Sequence, residues 1–254
     1  MIPQGWLQSW SPSPDHAPMD PMSLVDELAA AVDALTFAPP VTSVYNPLVY
    51  ARAPLKRYFE RMWSTKPPAL LLGMNPGPWG MAQTGVPFGE VSSARDWLDV
   101  EATVVPPQDQ HPKRPIQGFA CERREVSGAR LWGWAQERFA SPEDFAKRFF
   151  VWNWCPLAFL EESGRNRTPD KLPADERAAL QAVCDASLVR MVEALQPGAV
   201  IGIGRVAEGA AKRALGTDGP PIGTILHPSP ASPIANRGWA PQAEKQLKAL
   251  GLLD

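Results

Sequence analysis

Residues 70–90 read L-L-L-G-M-N-P-G-P-W-G-M-A-Q-T-G-V-P-F-G-E. The run opens with the pattern of a buried strand and breaks at Gly73 into a turn rich in Gly and Pro. Open α/β sheets place ligands and chemistry where a strand ends in a rigid loop. One polar side chain, Asn75, stands at the break, and an aromatic one, Phe88, follows thirteen residues later. No Asp, Glu, His, Cys, Lys or Ser follows the strand directly, so chemistry at this strand end must use an amide.

Counting this one at 69–73, four apolar runs read as strands; the others are 148–153 (R-F-F-V-W-N), 199–203 (A-V-I-G-I) and 222–226 (I-G-T-I-L). Helical patterns separate them. Residues 128–139 and 142–148 precede the second run, 174–195 lie before the third, 205–215 follow it, and 239–250 close the chain. Upstream, 22–37 fits an amphipathic helix with Leu24, Leu28, Val32 and Leu35 on one face, and 46–63 a helix kinked near Pro54. Strand–helix alternation with continuous apolar strands implies an α/β fold, a mostly parallel sheet covered on both faces. Without a repeat or a second composition zone, residues 21–254 read as a single domain after a loose tail at 1–20, in which Trp6 and Trp10 read as adventitious packing.

Composition narrows the class. A net charge of −2 gives no global positive field to draw in nucleic acid, so such a partner needs a local basic face. The 29 prolines fall between periodic segments and indicate many fixed loops. Three widely spaced cysteines (Cys121, Cys155, Cys184) form no C-x-x-C pair, which reads as reduced thiols in a cytosolic, intracellular compartment. Only His16, His111 and His227 offer imidazole, so no metal site is expected. No apolar run approaches the ~20 residues of a membrane span, and the start lacks the features of a signal peptide.

In a parallel sheet the carboxyl ends of the strands share one edge. The first strand ends at Asn75, the second at Asn153 and the fourth at His227, so two amides and an imidazole converge on one crevice. Each alone is a turn residue or a satisfied core group. The trio, with Pro76, Pro156 and Pro228 restricting the backbone beside it, reads as a pre-set pocket. Other constellations are weaker. G-I-G-R-V-A-E-G-A at 202–210 has its third Gly too late for a dinucleotide loop and reads as a tight strand-to-helix turn. His227 and Ser229 stand too close on a Pro-fixed loop to act as base and nucleophile, and Cys155 reads as a small core residue. Scattered basic residues, Arg205 among them, read as solvated surface, with Arg237 the one nearest the crevice.

These stretches resemble the single-strand-selective monofunctional uracil-DNA glycosylases. G-M-N-P-G-P-W-G-M-A-Q-T-G-V-P-F-G-E at 73–90 is similar to their first motif, and H-P-S-P-A-S-P-I-A-N-R-G-W at 227–239 to their second. The likeness continues through 45–51, H-P-K-R-P at 111–115, S-G-A-R-L-W-G at 127–133, W-N-W-C-P-L at 152–157 and S-G-R-N-R-T-P at 163–169, and covers roughly 41–252. It implies a uracil-DNA glycosylase fold, a three-layer αβα sandwich with a four-stranded parallel sheet. The implied activity is hydrolytic release of uracil, and of 5-hydroxymethyluracil, from single- and double-stranded DNA by a monomer, with no cofactor, no metal and no membrane partner.

Carried onto this chain, the resemblance implies that Asn75 positions the attacking water and His227 stabilises the leaving base. Asn153 reads the uracil edge and Phe88 stacks on the ring. Met74, Gly77 and Met81 complete the base pocket, Gly77 and Met81 around the C5 substituent. The loop after His227, with Pro228, Ser229, Pro230, Ala231, Ile234 and Arg237, is implied to sit against DNA. Ala231 stands where vertebrate members carry the Arg of the wedge that fills a flipped base's place, so the wedge passes to Ser229, Pro230 or Ile234 or is weaker. Two rival functions stay open: a relative shifted to xanthine or hypoxanthine, and a non-catalytic nucleic-acid-binding protein on the same fold.

Overall fold

The computed structural model of the protein describes residues 20–254, so most of the expected tail, with Trp6, Trp10 and His16, lies outside the described residues. Asp20 caps the first helix, its carboxylate accepting the Met22 N–H at 3.1 Å. The chain then runs through α1 (Pro21–Asp33), β1 (Val41–Tyr45), α2 (Pro47–Tyr50), α3 (Arg52–Met62), β2 (Ala69–Gly73), α4 (Met81–Thr84), α5 (Val126–Arg138), α6 (Pro142–Ala146) and β3 (Phe149–Asn153). It continues with β4 (Ala158–Glu161), β5 (Asn166–Arg167), α7 (Ala174–Leu195), β6 (Val200–Ile203), α8 (Arg205–Leu215), β7 (Ile222–Ile225), α9 (Pro233–Asn236) and α10 (Trp239–Ala249).

Strands β2, β3, β6 and β7 form a parallel sheet in the order β3-β2-β6-β7. They are the four runs read from the sequence, each within one residue at either end. Every residue of β2, β3 and β6 is buried. Successive side chains on a strand point to opposite faces, so both faces of this sheet are covered. Helix α8 packs on β2, β6 and β7, α10 on β7, and α6 on β3.

The departures from the sequence reading have local causes. Helix α1 stops at Asp33, but Leu35 and Phe37 still pack on the core, so the apolar period outlasts the helix. The helix expected over 46–63 breaks at Ala51 (φ −112°, ψ 31°), not at Pro54. Pro54 falls in the first turn of α3, where its missing N–H has no intrahelical acceptor to lose. A second sheet, with antiparallel strands in the order β1-β4-β5, has no counterpart among the apolar runs of the sequence. Its strands are short, and β5 has only two residues. It matters to the site because β4 follows the carbonyl of Leu157 and β5 carries Asn166.

Strand β3 lies at a sheet edge, and the buried Tyr58 hydroxyl of α3 donates to its Val151 carbonyl at 2.8 Å. Burial raises the Tyr58 phenol far above its ordinary range, so the donor is permanent. Tyr58→Phe leaves that buried carbonyl without its donor. Denaturant unfolding should show a loss of about 1–2 kcal/mol, with far-ultraviolet circular dichroism unchanged.

Candidate active site

Strands β2 and β3 pair Gly73 with Asn153, and the pairing continues past the strand ends. The Trp154 N–H donates to the Gly73 carbonyl and the Cys155 N–H to the Met74 carbonyl, both at 2.9 Å. The loops carrying the two asparagines are therefore one hydrogen-bonded unit. Beyond them opens a cleft of about 450 Å³. Met74, Asn75, Gly77, Met81, Phe88, Asn153, His227 and Ser229 line it. The cleft thus brings together both residues expected to be catalytic and all five expected to bind the base.

Asn75 is half-buried, and its Nδ2 donates to the Leu157 carbonyl at 3.2 Å. With the donor end engaged, Oδ1 is the atom left to accept from a water. Asn153 is 2 % exposed. Its Nδ2 has a thioether as acceptor, Met81 Sδ at 3.1 Å, and its buried Oδ1 has no hydrogen-bond partner. A Cβ on Gly73 would lie 2.1 Å from that oxygen and 2.6 Å from the Phe88 ring, so only glycine leaves room there.

Phe88 itself holds a left-handed backbone (φ 53°), unusual for an aromatic residue. The Glu90 N–H donates to its carbonyl at 2.7 Å, and the Trp132 indole donates to the preceding Pro87 carbonyl at 3.2 Å. Its ring centroid stands 6.2 Å from that of His227.

His227 is fixed from both sides of the residue before it. Gln246 accepts the Leu226 N–H at 2.7 Å, and the Trp239 indole donates to the Leu226 carbonyl at 2.6 Å. At the end of β6, Gly204 (φ 90°) takes a backbone that L side chains rarely adopt, and a Cβ there would lie 3.1 Å from His227 Cβ. Gly202 admits α8 at still closer range, as the strand-to-helix turn reading expects: a Cβ would lie 2.4 Å from the Glu208 nitrogen. Burial holds the imidazole below its ordinary pKa of 6.5, which favours the neutral form.

The loop after His227 is braced rather than loose. Arg130 of α5 donates to the carbonyls of Pro228 and Ser229 at 3.0 and 3.3 Å and to Asn236 Oδ1 at 2.8 Å. Pro230, Ala231, Ile234 and Arg237 are exposed and lie outside the cleft lining, and Pro228 is buried. Arg237 therefore does not join the crevice it was expected to approach. Arg205, read as solvated surface, is exposed and also stands at the cleft wall. Trp152 is buried, and the Trp154 indole donates to Asp185 at 2.7 Å, so the two tryptophans flanking Asn153 serve packing.

Sequence reasoning assigned nothing to Glu125, Arg130 or Asn166. Asn166 lines the cleft, and its Nδ2 donates to the Pro76 carbonyl at 3.2 Å, steadying the turn beside Asn75. Glu125 also lines the cleft and caps α5, its Oε1 accepting the Ser127 N–H at 3.1 Å. Desolvation raises its pKa, more than the Ser127 hydrogen bonds lower it. Asn166 and Arg130 stand in stretches singled out at 163–169 and 127–133, but only contacts across the fold reveal their work. Among the described residues, no three His, Cys, Asp or Glu side chains gather as a metal-ligand set.

Comparison with known proteins agrees with this arrangement. The family model described as the uracil DNA glycosylase superfamily matches residues 61–248. A Rattus norvegicus protein named single-strand selective monofunctional uracil-DNA glycosylase is 46 % identical over 261 aligned residues, covering 97 % of this chain and 94 % of its own. A Bos taurus protein of the same name is 48 % identical over 99 % of this chain and 93 % of its own. A crystal structure of wild-type SMUG2 from Pedobacter heparinus superposes with a TM-score of 0.64 at 17 % identity, over 90 % of this chain and 97 % of that one, which shows a shared fold. The chain belongs to the uracil-DNA glycosylase superfamily, among the single-strand-selective monofunctional uracil-DNA glycosylases.

Proposed function

We propose that this chain is a monofunctional DNA glycosylase that hydrolyses the N-glycosidic bond of uracil in DNA, and of uracil with small polar C5 substituents. The observation that carries the reading is the Asn153 amide, buried with an unpartnered Oδ1 and a donor resting on a thioether. Uracil supplies what both ends lack, an N3–H for Oδ1 and an O4 for Nδ2. Cytosine offers the reverse at each position and would leave buried groups unpaired, at about 1–3 kcal/mol each.

The target nucleotide must leave its stack to enter such a cleft. Phe88 then provides the stacking face. As the C1′–N1 bond breaks, its electron pair goes to the base and positive charge develops on the sugar. A neutral His227 donates one N–H toward uracil O2, a bond that strengthens as the base becomes anionic and so favours the transition state. Asn75 orients a water whose oxygen bonds to C1′. The proton it releases passes to solvent, while the base anion takes one up. An amide suffices for this because an oxocarbenium-like sugar needs little nucleophilic push.

Several other features support the reading. In the loop after His227, Ile234 is 48 % exposed and offers an apolar wedge where Ala231 is too small. Trp79, with the guanidinium groups of Arg114 and Arg123 4.9 and 5.5 Å from its ring, supplies local basic surface on a chain of net charge −2. One apolar core draws on residues from Met22 to Leu253, in keeping with a single domain over 21–254. The three cysteines are free and buried, which suits a reducing, intracellular setting. Among the described residues, no helix is long and apolar enough to cross a membrane. We take the working form to be a monomer acting on single strands, as the relatives' names state for them, and on duplexes.

The test is single-turnover excision from matched single- and double-stranded oligonucleotides carrying uracil. An intact uracil beside an excised xanthine or hypoxanthine would overturn the assignment. Asn75→Ala should lower the uracil rate by about 10²–10⁴-fold, with affinity for abasic-site DNA nearly unchanged. For His227 the sign follows from its depressed pKa. Above 6.5 the folded and unfolded imidazoles are both neutral. As pH falls through 6.5 the unfolded chain binds the proton first, and stability drops until the folded imidazole titrates as well. The stability of the wild type relative to His227→Gln should therefore fall between pH values on either side of 6.5, read by denaturant unfolding.

A further inference from the structure

Glu125 is the acidic side chain lining the cleft among the described residues, and the reaction described above gives it no part. Its position is unusual for a helix cap. Ser, Thr, Asp and Asn serve best at that position because their short side chains reach the helix N–H groups. Glu125 does cap α5 with Oε1, but its longer chain runs on across two glycines. A Cβ on Gly80 would lie 2.8 Å from Glu125 Cγ, and one on Gly77 would lie 2.4 Å from Oε2. The carboxylate thus fills the space that a side chain at position 77 would take. Among the described residues no Lys or Arg forms an ion pair with it.

That space has a definite relation to a bound base. Asn153 takes N3–H and O4, and Met81, whose sulfur touches Asn153 Nδ2, borders the same wall as Gly77. Past O4 along the ring edge comes C5, the position at which modified uracils differ. We propose that Glu125 is a specificity-determining residue that reads the C5 substituent, its Oε2 accepting a hydrogen bond from a hydroxyl there and repelling an acidic group. The inference rests on the uracil reading above and adds to it the group that sorts C5-modified bases. Its logic is electrostatic. A carboxylate against an unsubstituted C5–H faces a base that is becoming an anion, with nothing to offset the repulsion. A hydroxyl in between turns the same charge into an acceptor, and charge-assisted hydrogen bonds are roughly twice as strong as neutral ones. A carboxyl at C5 would put two like charges in contact.

The experiment compares wild type and Glu125→Gln on single-stranded oligonucleotides carrying uracil, 5-hydroxymethyluracil or 5-carboxyuracil, under single turnover, each rate divided by the uracil rate of the same preparation. Gln keeps the length and a cap acceptor and removes the charge. The hydroxymethyl-to-uracil ratio should fall about tenfold, and the carboxy-to-uracil ratio should rise about tenfold or more. Loss of the cap alone, or a loosened Phe88 loop, would slow all three bases together and leave the ratios in place. Ratios within twofold of wild type in an active enzyme overturn this inference and leave the glycosylase reading standing. A wild type that releases no base overturns both. Should Glu125→Gln fail to fold by thermal melting, Glu125→Asp withdraws the carboxylate from Gly77 while keeping charge and cap. Its hydroxymethyl ratio must then fall as well, and an unchanged one overturns the inference.

Discussion

A buried carbonyl oxygen without a donor, Asn153 Oδ1, is the constraint on which the rest of the site depends. Leaving such a group without any donor would cost about 1–3 kcal/mol, and folding normally supplies one from the protein itself. Here the surroundings keep it so. Gly73 gives it space, Phe88 stands beside that glycine, and Met81 offers the amide nitrogen only a soft acceptor. The left-handed backbone of Phe88 (φ 53°) belongs to the same arrangement, its ring lying against Gly73. A base in the cleft supplies the donor that the protein itself does not. Discrimination among bases then comes from the differing cost of failing to do so.

The sequence made the framework legible because parallel central strands are continuous apolar runs with sharp ends. All four were found within a residue, and their ends named Asn75, Asn153 and His227. Helices α7 and α8 were also readable to the residue, since each is bounded by Pro or Gly. What stayed hidden was built from contacts across the fold. Asn166 on a two-residue strand has no pattern of its own, and its value lies in a bond to Pro76, ninety positions away. Arg130 carries no signal of its own within 127–133, and its value lies in the guanidinium contacts to the loop after His227. Glu125 is invisible as a cap because Glu is a poor signal for one, and invisible as a site residue because its reach depends on the absence of two side chains, at Gly77 and Gly80.

Arg237 and Arg205 show how sequence distance misleads about charge. Ten residues from His227, Arg237 seemed the natural neighbour of the cleft, yet the turn braced by Ser229, Ser232 and Asn236 carries it away. Arg205 follows Gly204 at the end of β6 and so inherits the position that sheet topology reserves for ligands. The carboxyl-edge rule located it better than proximity along the chain, and it needed the strand order, with β6 between β2 and β7, before it could be applied.

The electrostatics of the cleft follow from one cause acting on two groups. Burial lowers the pKa of His227 and raises that of Glu125, so each is pushed toward its uncharged form. A cleft that disfavours its own charges is a poor solvent for ions and a strong medium for fixed dipoles. Beside the Glu125 carboxylate at its C5 side, the anion that matters in it is the one the reaction creates on the base. Donors already aimed at that base gain most from the charge as it appears, because no water has to reorganise around it. This accounts for a reacting centre served by amides, one neutral imidazole and backbone turns set by proline, with the one carboxylate of the lining, Glu125, set toward the C5 side.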